Sequence, residues 1–160
     1  MNIEIICVGK LKEKYLREAA AEYSKRLSKF CRLQVTELTE TRLESETPAA
    51  EQAVVLAESE AIERKIKRGP DCFTVALDVR GRELSSEELA SELASLQLSG
   101  KSRVSFLIGG SLGMSEELMR SCDLRLSFSR MTFPHQLMRV IMLEQIYRAF
   151  KINAGEKYHK

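Results

Sequence analysis

The residues of this chain best suited to hold a ligand are three closely spaced glycines and the hydroxyl-rich run that follows them. An apolar stretch, Val104-Ser105-Phe106-Leu107-Ile108, empties into Gly109-Gly110-Ser111-Leu112-Gly113. A second, Leu124-Arg125-Leu126-Ser127, runs on into Phe128-Ser129-Arg130-Met131-Thr132-Phe133-Pro134-His135. Two strand-to-loop exits so close in sequence are what parallel strands deliver to a single crevice. The first can bring bare backbone against a ligand, because glycine puts no side chain in the way. The second offers hydroxyls and backbone amides, then a proline that fixes the chain. This is the chemistry of a small-molecule site. It is not a dinucleotide fingerprint: the Gly-x-Gly-x-x-Gly spacing is absent, and the glycines follow the fourth strand segment where the fingerprint follows the first. Taken alone, a Gly-Gly turn after a strand is more often structural than functional.

Around this core stand the residues that bear charge. His135 follows Pro134 and opens an apolar stretch; an imidazole there serves equally to exchange a proton near neutral pH or to pack the start of a helix. Arg130 and Arg139 each offer a planar fork of donors to phosphate or carboxylate. Arg139 is the stronger functional candidate, since its surroundings in sequence are otherwise apolar. The segment Asn153-Ala154-Gly155-Glu156-Lys157-Tyr158-His159-Lys160 would ordinarily be read as a frayed end. Its ring, imidazole and lysines also suit stacking on an unpaired base and neutralising phosphate.

The elements that must position these residues alternate. Asn2 to Val8 reads as a β-branched strand, and residues 13–30 place Leu16, Ala20, Tyr23, Leu27 and Phe30 on one helical face. A weaker strand follows at Arg32 to Leu38, then a polar loop over 39–47. Pro48 starts a helix expected to end near Gly69, with that glycine as a left-handed cap. Residues 72–79 form a strand, and Ser85 with Glu88 has capping-box spacing ahead of a helix closed by Gly100. Strands at 103–108 and 124–128 flank a short helix beginning at Ser115, and 135–152 form the last helix. The class is therefore α/β with a mostly parallel sheet and flanking helices. The final helix is apolar over much of its circumference, so more than one face must be covered, by its own domain or by a second copy of the chain.

At 160 residues, with 44% hydrophobic and 30% charged residues, the chain is expected to form one domain, 1–160. Net charge is +2, but unevenly spread: residues 124–160 carry seven Lys/Arg against two acids, 1–32 eight against four, and 33–123 ten against seventeen. If the two basic ends meet in the fold they make one positive surface suited to a polyanion; scattered solubilising charge is the alternative. No secretory or membrane-spanning pattern is present, and Cys7, Cys31, Cys72 and Cys122 are far apart. Reduced thiols, a cytoplasmic location and no metal site are the expectation.

Leu77-Asp78, Ile108-Gly109-Gly110, the run from Ser127 to Thr132, Phe133-Pro134-His135, the helix through Tyr147-Arg148-Ala149-Phe150 and the closing Tyr158-His159 recur in order in one family. On these residues the chain resembles the RlmH methyltransferases of the SPOUT superfamily, densely after Phe73 and vaguely between Leu33 and Gly69. The resemblance implies a deep trefoil knot near the C-terminus and S-adenosylmethionine as cofactor. It also implies methylation of N(3) of a pseudouridine in 23S rRNA on assembled ribosomes, by a homodimer in which each subunit's tail completes the other's site. Carried over by alignment, Leu77, Gly109 and the residues Phe128, Ser129, Arg130, Met131, Thr132 and Phe133 would bind the cofactor, with Gly110 beside them. In the family a similar Tyr-His ending belongs to the RNA-binding and catalytic region, which gives Tyr158 and His159 a catalytic role beside His135 and Arg139, chosen on their own chemistry; Lys160 stands where some relatives carry arginine and a further residue. Outside the resemblance, a non-catalytic nucleotide- or RNA-binding module remains the main alternative reading of the same loops and basic ends, with a dehydrogenase weaker.

Overall fold

The central strands are buried on both faces, so the direction of each side chain assigns it to one of two layers. The computed structural model describes residues 1–158. Its sheet comprises β1 (Asn2–Val8), β2 (Arg32–Leu38), β3 (Cys72–Glu83), β4 (Arg103–Ile108) and β5 (Leu124–Ser127), in the order β2-β1-β4-β3-β5 with every pairing parallel. Because side chains alternate across a strand, Ile3, Ile5, Cys7, Val104, Phe106 and Ile108 face one side. There they meet α1 (Lys14–Leu27), α3 (Ser86–Leu98) and α5 (His135–Asn153). Ile6, Val8, Ala76 and Leu107 face the other and meet α2 (Pro48–Glu63) and α4 (Glu116–Arg120). The α/β class with a parallel sheet thus stands as expected.

Local chemistry sets the helix starts. Thr47 accepts from the Ala50 amide with Pro48 at the first helical position, Ser85 and Glu88 form a reciprocal capping box, and Ser115 accepts from the Leu118 amide. Some ends differ from expectation. The first helix stops at Leu27 and the second at Glu63, short of Gly69, whose φ is not left-handed. Beyond Glu63 the chain tightens, with Lys65 bonding back to Ile62 and Ile66 to Glu63. Arg68 then folds back to clamp the Glu63 carboxylate at 2.8 Å. The backbone turns at Lys65 and Ile66 end the helix without a glycine cap.

The third strand also runs past 79 to Glu83, through an irregularity in which Leu77 and Arg82 both register with Leu126. Gly81 permits it: a Cβ there would lie 2.7 Å from the Arg125 backbone. The residues squeezed out, Asp78 to Arg80, bulge toward the carboxyl ends of the strands.

Candidate functional site

Both glycine-rich and hydroxyl-rich exits open at the carboxyl edge of the sheet, as the parallel topology requires, and they share one cavity of about 650 Å³. From β4, Gly109, Gly110 and Gly113 form its floor, tightened by the Gly113 amide bonding to Gly110 O at 3.0 Å. Gly113 takes φ +81, the left-handed region that only glycine enters freely. From the stretch after β5, Phe128, Ser129, Met131, Thr132 and Phe133 form the opposite lip. Leu77 and the bulge at Asp78 close one end, and His135 with Met138 of α5 the other.

Several hydrogen bonds fix the lip. Ser127 Oγ lies 3.1 Å from the Val79 carbonyl and 3.0 Å from that of Ser129, while Ser129 Oγ accepts from the Met131 amide at 3.0 Å. Arg125 ties the bulge to α4, its Nε donating to Asp78 at 3.1 Å and its Nη1 to Glu116 at 2.7 Å. Although burial pushes the Asp78 carboxyl upward, hydrogen bonds and charge from Arg125 and Arg80 outweigh it and hold the group below the usual carboxylate range.

The floor is supported from beneath by α2, a region whose sequence carried no motif. Ser59 Oγ accepts from the Ser115 amide at 2.8 Å. Glu58, 4% exposed, accepts from the Thr41 amide at 2.9 Å. Its other oxygen sits where a Gly110 side chain would begin, at 2.6 Å. Burial first, and then the nearby charge of Glu40, push the Glu58 carboxyl above its ordinary range, against the pull of the Thr41 amide and His135. Glycine at 110 therefore makes room for protein. Glu40 itself lies 3.2 Å from His135 Nε2. Neither acid was legible as a site residue, because nothing in its spacing links it to residues 50 to 95 positions away.

The remaining candidates fall elsewhere. Arg130 is exposed and is not among the residues lining the cavity. Arg139 is buried at 1% exposure, bonding Glu37 and donating to Gly9 O at 2.6 Å, with its Nε unpartnered. It lines a separate hollow with Leu11, Ala20 and Val35. Tyr158 folds back onto the middle of α5: its ring stands edge-on to Tyr147 at 5.0 Å beneath the Arg148 guanidinium at 4.8 Å, and its hydroxyl lies 3.3 Å from Glu144. Burial, and then the neighbouring Tyr23, push its phenol up to about 12. His159 and Lys160 lie outside the described residues. Around Tyr158, the basic ends of the chain do meet, with Arg26 of α1 near the rings of Tyr23 and Tyr147 and Lys151 of α5 near Phe30. Acidic neighbours partly offset them: Arg26 pairs with Glu22, Arg148 with Glu144 and Lys151 with Glu156.

A family described as "Predicted SPOUT methyltransferase" matches residues 1–159. The chain belongs to the SPOUT methyltransferase family. Within it, the chain is similar over the full length of both proteins to the ribosomal RNA large subunit methyltransferase H of Clostridium novyi, at 52% identity, and to that of Carboxydothermus hydrogenoformans, at 53%. In fold it is similar to a methylase family protein of Haemophilus influenzae, with TM-score 0.52 and 15% identity over 99% of this chain and 70% of that one. SPOUT membership brings the trefoil knot, and S-adenosylmethionine as methyl donor. The cavity fits that molecule in kind: two loops of backbone donors and acceptors face apolar walls from Leu77, Phe128 and Met138, and a side chain at Gly113 would meet no protein atom within 4 Å. Among the described residues no cluster of His, Cys, Asp and Glu is placed to hold a metal, and no helix is long and apolar enough to cross a membrane.

Proposed function

We propose that this SPOUT enzyme, working as one domain, transfers a methyl group from S-adenosylmethionine to N(3) of a pseudouridine in 23S rRNA on assembled ribosomes in the cytoplasm. The observation that carries the reading is the meeting of the two loop exits in one cavity, in a chain about half identical to the ribosomal RNA methyltransferases named above. The donor supplies an electrophilic methyl on sulfonium. Leu77, Gly109, Gly110, Phe128, Ser129, Met131, Thr132 and Phe133 hold it, their backbone amides and carbonyls reading its polar edges; Arg130, exposed and outside the lining, meets RNA phosphate. Positioning nucleophile and methyl in contact supplies much of the rate. The imide nitrogen attacks poorly while protonated, so a proton acceptor at the cavity adds to this, and His135 is placed there.

Tyr158 and His159 act on the base from a second subunit. Tyr158 packs beside Glu144, about 14 Å along α5 from His135, and is not among the residues lining the cavity, so it does not serve its own subunit's site. Leu137, Val140 and Ile141 favour a homodimer: they are packed into neither apolar core, and Leu137 is 37% exposed. Arg139 contributes at one remove, tying α5 to the exit of β1 through Gly9 O. Mass spectrometry of ribosomal RNA from cells lacking the protein tests the reading. One methyl group is expected to be missing from a pseudouridine in 23S rRNA and to return on complementation; an unchanged methylation pattern refutes it.

A further inference from the structure

Three loops distant in sequence are laced together beside the cavity through one carboxylate. Glu40 Oε1 lies 3.2 Å from His135 Nε2, and Glu40 Oε2 lies 3.5 Å from Lys12 Nζ. The Lys12 backbone N–H in turn donates to the Gln136 side chain at 2.9 Å, so the chain after β1 grips the first turn of α5. Room for the carboxylate is made by Gly9, where a Cβ would come within 2.6 Å of Glu40 Oε1. A carboxylate oxygen only accepts hydrogen bonds, so a neutral imidazole facing it carries its hydrogen on Nε2 and keeps the lone pair on Nδ1.

We propose that Glu40 is the positioning residue of the methyl transfer, fixing His135 in the Nε2–H tautomer so that Nδ1 is the proton acceptor. This rests on the function proposed above. The N(3)–H bond breaks and its proton passes to Nδ1. The freed nitrogen pair forms the bond to the methyl carbon as the carbon–sulfur bond breaks, its electrons staying on sulfur. The resulting imidazolium lies against the Glu40 carboxylate and later returns its proton to water. Two other groups bear on the assembly. Lys12 neutralises the outer oxygen of Glu40, and Glu58 on α2, buried beneath Gly110, feels both Glu40 and His135.

The test uses full-length protein with 15N-labelled histidine. The chain has two histidines, and a His135→Ala variant assigns their ring signals. In the unaltered protein a hydrogen-bonded Nε2–H of His135 is expected, and its signal should vanish into solvent exchange in Glu40→Ala. In the same variant, kcat for methyl transfer to unmodified ribosomes should fall about a hundredfold, with calorimetric affinity for S-adenosylmethionine and the unfolding midpoint unchanged. Glu40→Ala should cost nothing further in a His135→Ala background. A hydrogen on Nδ1 in the unaltered protein, an Nε2–H signal that persists in Glu40→Ala, or additive losses in the double variant would each overturn the proposal. Absence of methyl transfer by the unaltered enzyme counts against the function itself, while the ring spectrum decides the Glu40 contact independently.

Discussion

Glu58 carries a charge into the underside of the glycine floor, and its titration should register in stability. Burial favours its neutral form in the fold, raising the folded pKa above the unfolded value of about 4.3. The folded state is therefore spared any cost below pH about 4 and bears it in full once pH exceeds the raised value. Glu58→Gln keeps an oxygen for the Thr41 amide and removes the charge. It should unfold at higher denaturant than the native protein at pH 7, with the difference closing as pH approaches 4. A variant less stable at pH 7 would show that the carboxylate has a partner that offsets its burial. The same oxygen changes what Gly110 means: Gly110→Val drives a branched side chain into Glu58 and Val8, so loss of ligand binding there reports a disturbed floor as well as a filled site.

At the scale of elements, the bulge in β3 and the outer face of α5 each depend on one position. Gly81 lets β3 pass within contact of the β5 backbone, and Asp78, Arg80 and Ser127 are arranged around that crossing. Gly81→Val should cost about 1–3 kcal/mol through overpacking and weaken S-adenosylmethionine binding in calorimetry, since the bulge closes one end of the cavity. Native affinity in a destabilised variant would separate the bulge from the site. On α5, Met142, Leu143, Ile146 and Ala149 are buried within the chain, leaving Ile141 beside Leu137 and Val140 on the face proposed for the partner. Ile141→Glu should cost several kcal/mol of association through burial of an unpaired charge and yield monomers in analytical ultracentrifugation. A native protein that sediments as a monomer would contradict the interface.

For the whole molecule, the position of Tyr158 outside its own subunit's cavity makes a prediction about shared sites. Deleting residues 158–160 should abolish most methyl transfer and leave dimerisation and cofactor affinity nearly intact. The Tyr158 ring contact with Tyr147 adds a small stability loss of about 0.5–1.5 kcal/mol. Mixing such subunits with full-length ones carrying Gly113→Val, where φ +81 strains a branched residue, should restore about a quarter of native activity after reassortment. Half of the dimers are then mixed, and each joins one intact cavity to one intact tail. No recovery on mixing would mean that each tail serves its own subunit or that the tail is dispensable to the geometry.

What the sequence determined by itself was local. Alternating apolar residues, Pro48, the capping box of Ser85 and Glu88, and the glycines after Ile108 encode their structure within a few neighbours, and β1, β2 and β4 fall where the pattern put them. The motif order likewise carried the family. Tertiary structure alone decided whatever depends on residues meeting across the fold. The Arg125 backbone turned Gly81 into a requirement and Asp78 into a cavity wall. The fold also drew Arg139 into the core against Gly9 and Glu37, and brought Glu40 and Glu58 to His135. Periodicity records which face of an element is buried; it holds no record of which charge from a distant loop will occupy the space a glycine leaves open.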